Sequence, residues 1–376
     1  MARDSPLVIC CPDKFRGTIS APAAARALAR GVESTGLRGL AHPLADGGEG
    51  TLDAVLAAPG AEVAAVATLD PLGRPIESRL AMLSDGSALV ELAEASGLQL
   101  LSAEERDPLR TSSAGTGRLI SAALDLGAPR VVVALGGSAT VDGGLGAIHA
   151  LGARPLDASG VVLEGTGADL GMLASLDLER LDPRLGAVTV EIAVDVESPL
   201  SGPGGAAEVF GPQKGADGEA VERLDRGLEI LAGVLGLGRG DRGRLGAAGG
   251  FAAPFVSLLG AAVVSGAALV REVTGFEQAL SGASLCITGE GRVDGSSVLG
   301  KTVGGVVRAA AEAGVPAVVA AGEVEEASAA LIAEGAAGVF GVLRRTGDLD
   351  DARESADADL EWFGRSASLL FSRSRS

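Results

Sequence analysis

The sequence predicts an α/β protein of two domains: a doubly wound domain of flavodoxin or Rossmann type, built discontinuously from residues 1–60 and 285–376, with a mixed α/β domain inserted over residues 61–284. Three observations carry that expectation. Short apolar runs alternate with helical patterns and are joined by Gly-rich loops, as in largely parallel sheets. Both ends of the chain share this rhythm, whereas the middle opens on the pattern of an antiparallel hairpin. A chain of 376 residues also exceeds what one hydrophobic core ordinarily serves.

The elements follow in order. LVICC (7–11) forms a first strand, and a helix runs from Ser20 to Val32 with Pro22 in its first turn, where a missing N–H costs nothing. A strand over 38–44 enters ADGGEG, and a helix follows from Glu49 to Ala58. IESRLAML and SALVELAEA flank SDG as the two arms of the hairpin. Strands at 131–135 and 188–194 and an amphipathic helix over 218–235 complete the insert. The last third has strands at 284–288, 316–321 and 338–343, and a helix over 302–313 stopped by Gly314 and Pro316. The terminal SRSRS reads as a frayed tail.

Composition removes several classes of function. With 47% apolar and 21% charged residues the chain can bury a core, so global disorder is excluded. A net charge of −18 argues against nucleic acid as a partner. No uninterrupted apolar run is long enough to span a membrane, and the opening MARDSPLVICCPDKF lacks the pattern of a signal peptide, so a cytoplasmic protein is expected. Cys10, Cys11 and Cys286 have no zinc-site spacing and are read as strand packing, and His42 and His149 as structural residues. Of 31 basic residues only Lys14, Lys214 and Lys301 are lysine, and each falls in a Gly- or Pro-containing loop. A compact, movable ammonium suits a migrating phosphoryl group.

Ligands of doubly wound sheets bind beyond the carboxyl ends of the strands, which directs attention to the loops that follow strands. PDKFRG, ADGGEG, GGSATVDGG, DVESPLSG and TGEGRVDG each combine an Asp or Glu with small residues that let the backbone come close to a ligand. Carboxylates beside an anion-cradling backbone are reconciled by a divalent cation, most simply Mg²⁺ shared with nucleotide phosphates. Asp85 and Asp217 read instead as a hairpin turn and a helix cap. GSSVLGKT (295–302) satisfies GxxxxGK[ST], but a polar segment separates it from the preceding strand, and the acidic strand end at Asp195 precedes it, the reverse of P-loop order. Neither a nucleophile elbow nor a GxGxxG after the first strand is present.

Taken together, PDKFRGTISA, PLADGGEGT, TSSAGTGRLI, GGSATVDGG, DVESPLSG, GPQKGA, GAAGG and TGEGRVD followed by GKT resemble, in order and over nearly the whole chain, the type I glycerate kinases. The resemblance implies ATP-dependent phosphorylation of D-glycerate to 2-phosphoglycerate, with Mg²⁺, in a two-domain α/β protein whose site lies in a cleft between domains. Val141 and Ser198 stand for Asn, and Arg118 for Glu, in the commoner forms of these motifs, and none of the three removes a carboxylate or lysine that is assigned a role below.

On that resemblance, Asp195 is expected as a Mg²⁺ ligand or as the base for the attacking hydroxyl, with Asp46 a second metal candidate. Lys14, Arg16, Arg292 and Lys301 are expected to hold the glycerate carboxylate and the phosphates, and Asp46, Glu49 and Asp294 to meet substrate. Gly136, Gly137, Ser138, Thr140 and Asp142 are the candidate nucleotide loop, and Lys214 is a catalytic charge carried in from the insert on closure. A kinase forming 3-phosphoglycerate, a non-catalytic sensor of a nucleotide or hydroxy acid, and a P-loop NTPase are the competing readings.

Overall fold

In chain order the strands are β1 (Leu7–Cys10), β2 (Arg38–Ala41), β3 (Glu62–Leu69), β4 (Pro75–Met82), β5 (Ala88–Glu91), β6 (Arg130–Ala134), β7 (Arg154–Leu156), β8 (Ser175–Asp177), β9 (Thr189–Ala193), β10 (Ala262–Val264), β11 (Leu285–Val293), β12 (Ala317–Val324) and β13 (Ala336–Gly341). They belong to a computed structural model that describes residues 5–195, 197–298, 301–342 and 349–374. The chain divides into two units, one of residues 1–46, 53–59 and 265–376, the other of residues 47–52 and 60–264.

The first unit is built on a five-stranded sheet in the order β13-β12-β11-β1-β2, with every pair parallel. Both faces are covered, which is why its strands read as continuous apolar runs. Successive residues of β1 point to opposite faces, so Val8 and Cys10 join one buried cluster with Leu28, Val32 and Phe363. Ile9 and Cys11 join the other, with Val303, Val306 and Phe276. The helix Ala21–Glu33 starts on Ser20, whose side chain accepts from Ala23 N, and has Pro22 in its first turn as expected. The helices Gly266–Thr274 and Phe276–Ser281 bury Val270, Phe276 and Leu280 in this unit's core, although the sequence pattern assigns them to the insert.

Two differences from the sequence reading concern lengths. β11 continues five residues past Thr288, to Val293, because backbone pairing with β12 persists through Arg292↔Glu323 and Val293↔Val324. The segment GEGRV has one apolar residue, the buried Val293, and its Gly and charged residues mask the strand from an apolar pattern. At the C-terminus the helix Leu349–Ser374 includes most of SRSRS, which is therefore helical through Ser374.

The second unit has a six-stranded mixed sheet in the order β10-β9-β6-β5-β4-β3, parallel from β10 to β5 and antiparallel beyond. The hairpin of β4 and β5 turns as expected, with Ser87 N donating to Asp85 Oδ1 and Gly86 at φ 84°. β3 is an unforeseen edge strand whose Ala-rich run has little strand character of its own. The helix Gly218–Val234 is capped by Asp217, which accepts from Ala220 N at 2.8 Å, and it buries Leu224, Leu228 and Leu231. A small antiparallel pair, β7 and β8, completes the unit's strands.

Candidate functional site

In the first unit the chain passes from β1 to β2 on one side and later returns to place β11 on the other. The order reverses between β1 and β11, and the loops leaving those two strands diverge there, which is where doubly wound sheets receive ligands. Asp13 N donates to Gly289 O at 2.8 Å, extending the pairing of β1 with β11 into the loop. A Cβ on Gly291 would lie 2.9 Å from Arg16 N, so the glycine lets this loop rest directly on β11.

Asp13 is buried at 6% exposure, and each of its carboxylate oxygens has a donor. Lys14 N donates to Oδ1 at 2.6 Å and Thr302 Oγ1 donates to Oδ2 at 2.7 Å. Burial pushes its pKa up to about 6, and the charge of Asp46 pushes the same way, against Lys14 and Thr302. On β11, burial pushes Glu290 up to about 7; a hydrogen bond from Ser297 and the charge of Lys301 oppose this, and the charges of Asp13 and Asp46 add to it. Glu290 Oε1 is shielded from solvent and has no hydrogen-bond partner among the described residues. Lys301 is the N-cap of the helix Thr302–Glu312, and Thr302 begins its first turn. The end of that helix, which favours negative charge, thus already meets the carboxylate of Asp13.

Of the other residues expected in this unit, Asp46 is half-buried at the end of the loop after β2, and Lys14 is half-buried beside Asp13. Asp294 leads into the helical turn Gly295–Val298, where its N–H donates to Ser297 Oγ at 3.1 Å. Arg16 and Arg292 line one cavity of about 290 Å³ together with Phe15, Thr18 and Leu360. Arg292 donates to Glu325 and lies 3.7 Å from Glu323. Leu299 and Gly300 of the GxxxxGK[ST] match lie outside the described residues.

In the second unit the loop after β6 is held from within. Ser138, Thr140 and Asp142 are all buried. Asp142 accepts from Ser113 N at 2.7 Å, Ser113 Oγ at 2.6 Å and Gly144 N at 3.1 Å. Burial nonetheless raises its pKa, against those hydrogen bonds. The more accessible part of the loop is the Gly136–Gly137 backbone, which runs along Gly48 and Glu49; a Cβ on Gly136 would lie 2.3 Å from Gly48 Cα. Glu49 is exposed, and the buried Glu91 anchors the loop beside it, accepting from Gly50 N at 2.9 Å and Leu52 N at 2.8 Å.

Lys214 differs from the mobile charge that its loop sequence suggests. It is 2% exposed, and its Nζ donates to Ser138 Oγ and Thr140 O, both at 2.7 Å. Burial lowers its pKa to about 7, against the charge of Asp142. Asp195 is half-buried directly after Val194, whose N–H donates to Val264 O at 3.0 Å, so the carboxylate stands just beyond β9; its neighbour Val196 lies outside the described residues. Among the described residues no group of three or more His, Cys, Asp or Glu side chains could hold a metal ion by itself.

Sequence reading did not single out Asp13, Glu290 or Glu91. Asp13 is the first carboxylate after β1, and Glu91 is a charge at the end of an apolar run, so both carried a usable signal. Glu290 was hidden by placing the end of β11 too early.

Residues 8–371 match the model of the glycerate kinase family. A glycerate kinase of Bacillus subtilis is 41% identical over 361 residues, covering 94% of each chain. The glycerate 2-kinase of Escherichia coli is 39% identical over 357 residues, covering 93% of each chain. A crystal structure assigned to glycerate kinase 2 of Salmonella typhimurium LT2 superposes with a TM-score of 0.85 at 37% identity, over 99% of this chain and 100% of that one. With a family match over almost its full length and relatives of this identity and coverage, the chain belongs to the glycerate kinase family.

Proposed function

We propose that this protein transfers the γ-phosphoryl group of ATP to the 2-hydroxyl of D-glycerate, releasing ADP and 2-phosphoglycerate. Family membership supports the reaction, and the Escherichia coli relative's name, glycerate 2-kinase, supports the choice of hydroxyl. The observation that carries the reading is the meeting of Asp13, Asp46 and Glu290 with Lys14 and Lys301 at the switch point of the parallel sheet.

Phosphoryl transfer asks the protein to position two substrates, neutralise charge and accept a proton. Lys14, Arg16, Lys301 and Arg292 are assigned to the glycerate carboxylate and the phosphates, and the shared cavity of Arg16 and Arg292 supports pairing those two. Asp46, Glu49 and Asp294 are assigned to substrate. The accessible Gly136–Gly137 backbone is assigned to the nucleotide, with Ser138, Thr140 and Asp142 fixing its shape from behind. Lys214 acts in catalysis through that loop, which its two hydrogen bonds hold.

Mg²⁺ fits a donor set of single carboxylates, since it completes its shell with water and phosphate oxygens; Asp46 in the first unit and Asp195 in the second are each assigned as a candidate ligand. When bound, it would draw charge from the phosphates. We read each unit as a domain, the second inserted in the first, and place the protein in the cytoplasm. Three buried cysteines without a disulfide support that location, and among the described residues no helix is long and apolar enough to cross a membrane.

Release of ADP with and without D-glycerate tests the reading. Glycerate-dependent release is expected, with the product's phosphorus NMR signal that of the 2-phosphate. Glycerate-independent release, or binding of ATP without release, overturns it.

A further inference from the structure

We propose that Glu290 is the general base that takes the proton from the attacking hydroxyl of glycerate. The inference rests on the glycerate kinase reading and adds to it a residue that neither family membership nor the loop motifs assign. A base needs a free lone pair where the hydroxyl arrives. Asp13, a neighbouring carboxylate, already accepts from Lys14 N on one oxygen and from Thr302 Oγ1 on the other. Glu290 Oε1 is shielded from water and meets no donor among the described residues. A buried acceptor left in that state is unfavourable until a donor arrives, and a substrate hydroxyl is such a donor.

The carboxyl group is also well held. Glu290 lies on β11 in register with Ala321 of β12, so its backbone belongs to the sheet and not to a mobile loop. Ser297, from the turn that follows β11, hydrogen-bonds the same carboxyl group. Asp13 from the loop after β1, Asp46 from the loop after β2 and Lys301 from the N-cap of the helix Thr302–Glu312 supply the charges around it. Burial raises the pKa of Glu290, and the two like charges add to it against Ser297 and Lys301.

The step balances as follows. The glycerate hydroxyl oxygen forms a bond to the γ-phosphorus as its proton moves to Glu290 Oε1. The bond from that phosphorus to the bridging oxygen breaks, and ADP leaves with the electron pair. The neutral Glu290 carboxyl then returns its proton to solvent.

The test compares wild type, E290Q and E290D in steady-state kinetics over pH, with both substrates varied. In E290Q, which keeps the side chain's shape, kcat should fall by about 10²–10⁴-fold. KM for ATP and for glycerate should stay within about threefold, as expected when an interaction made only in the transition state is removed. The acidic limb of kcat/KM should vanish in E290Q and persist, displaced, in E290D. An E290Q enzyme keeping more than about a tenth of kcat, or losing mainly in KM, overturns the proposal. Should E290Q not fold, E290D decides, since an undisplaced limb with unchanged kcat is equally fatal. Failure of the wild type to release ADP with glycerate sinks the underlying reading instead, and the two failures are distinct.

Discussion

Thr302 and Asp13 stand 289 residues apart in the chain and are joined by a hydrogen bond of 2.7 Å, the threonine hydroxyl donating to Oδ2. That bond ties the loop after β1 to the helix after β11, so residues from the two ends of the chain are fixed relative to each other at the switch point. Replacing Thr302 by Val keeps the shape and removes the donor, leaving a buried carboxylate oxygen unsatisfied. Stability should fall by about 1–3 kcal/mol in urea or guanidinium titrations. Thr302→Ser should recover most of it, because the hydroxyl returns. Thr302 is also one of the groups that lower the pKa of Asp13, so in T302V that carboxyl should titrate higher still. Equal stability of T302V and T302S would show that the tether contributes nothing.

A second prediction concerns Lys214, whose amine is buried against Ser138 and Thr140 with a pKa lowered to about 7 from the ordinary 10.5. Between those two values the unfolded chain binds a proton that the folded chain does not. Stability attributable to this group therefore rises as pH rises from about 7 towards 10.5, and is flat below about 7 where both states are protonated. In Lys214→Met that dependence disappears. The stability difference between wild type and variant should shift in favour of wild type by up to about 1.4 kcal/mol per pH unit across that window. Denaturant melts at several pH values measure it, and parallel curves would refute the assignment. Because Lys214 acts through the loop, the same variant should raise KM for ATP by a larger factor than it lowers kcat.

Much of this architecture was legible because parallel strands buried on both faces announce themselves as apolar runs. β1, β6, β9, β12 and β13 lie within a few residues of where LVICC, VVVAL and their counterparts put them. Local devices were legible for a related reason: Asp217 caps, Asp85 turns and Pro22 opens a helix through neighbours in the sequence alone. What escaped depends on partners far along the chain. β11 runs on through GEGRV only because β12 is beside it, and Glu290 becomes part of a sheet by that pairing. Lys214 sits in a loop sequence that could equally serve a mobile charge. Its burial follows from Ser138 and Thr140, more than seventy positions away in the chain. The acidic loops were thus found as a set, but which carboxylates would be buried, and against what, was decided by tertiary packing.

The last prediction separates the two glutamates beside the ADGGEG loop. Glu91, 3% exposed at the end of β5, accepts from the backbone N–H groups of Gly50 and Leu52, whereas Glu49 is exposed on the loop itself. Glu91→Gln turns one acceptor into an NH₂ that faces a backbone donor, so one of the two N–H groups loses its partner. The loss should be about 1.5–3 kcal/mol, the range for hydrogen bonds to a charged group. Amide exchange at Gly50 and Leu52 should speed up selectively, because the bonds protecting those two positions are the ones removed. Glu49 is an exposed side chain, and Glu49→Gln should cost less stability than Glu91→Gln. Any defect in E49Q would then be read in kinetics, and any defect in E91Q would be accompanied by loosening of the loop. If E91Q proved as stable as E49Q and the two amides stayed protected, Glu91 would not be what shapes the backbone on which Gly136 rests.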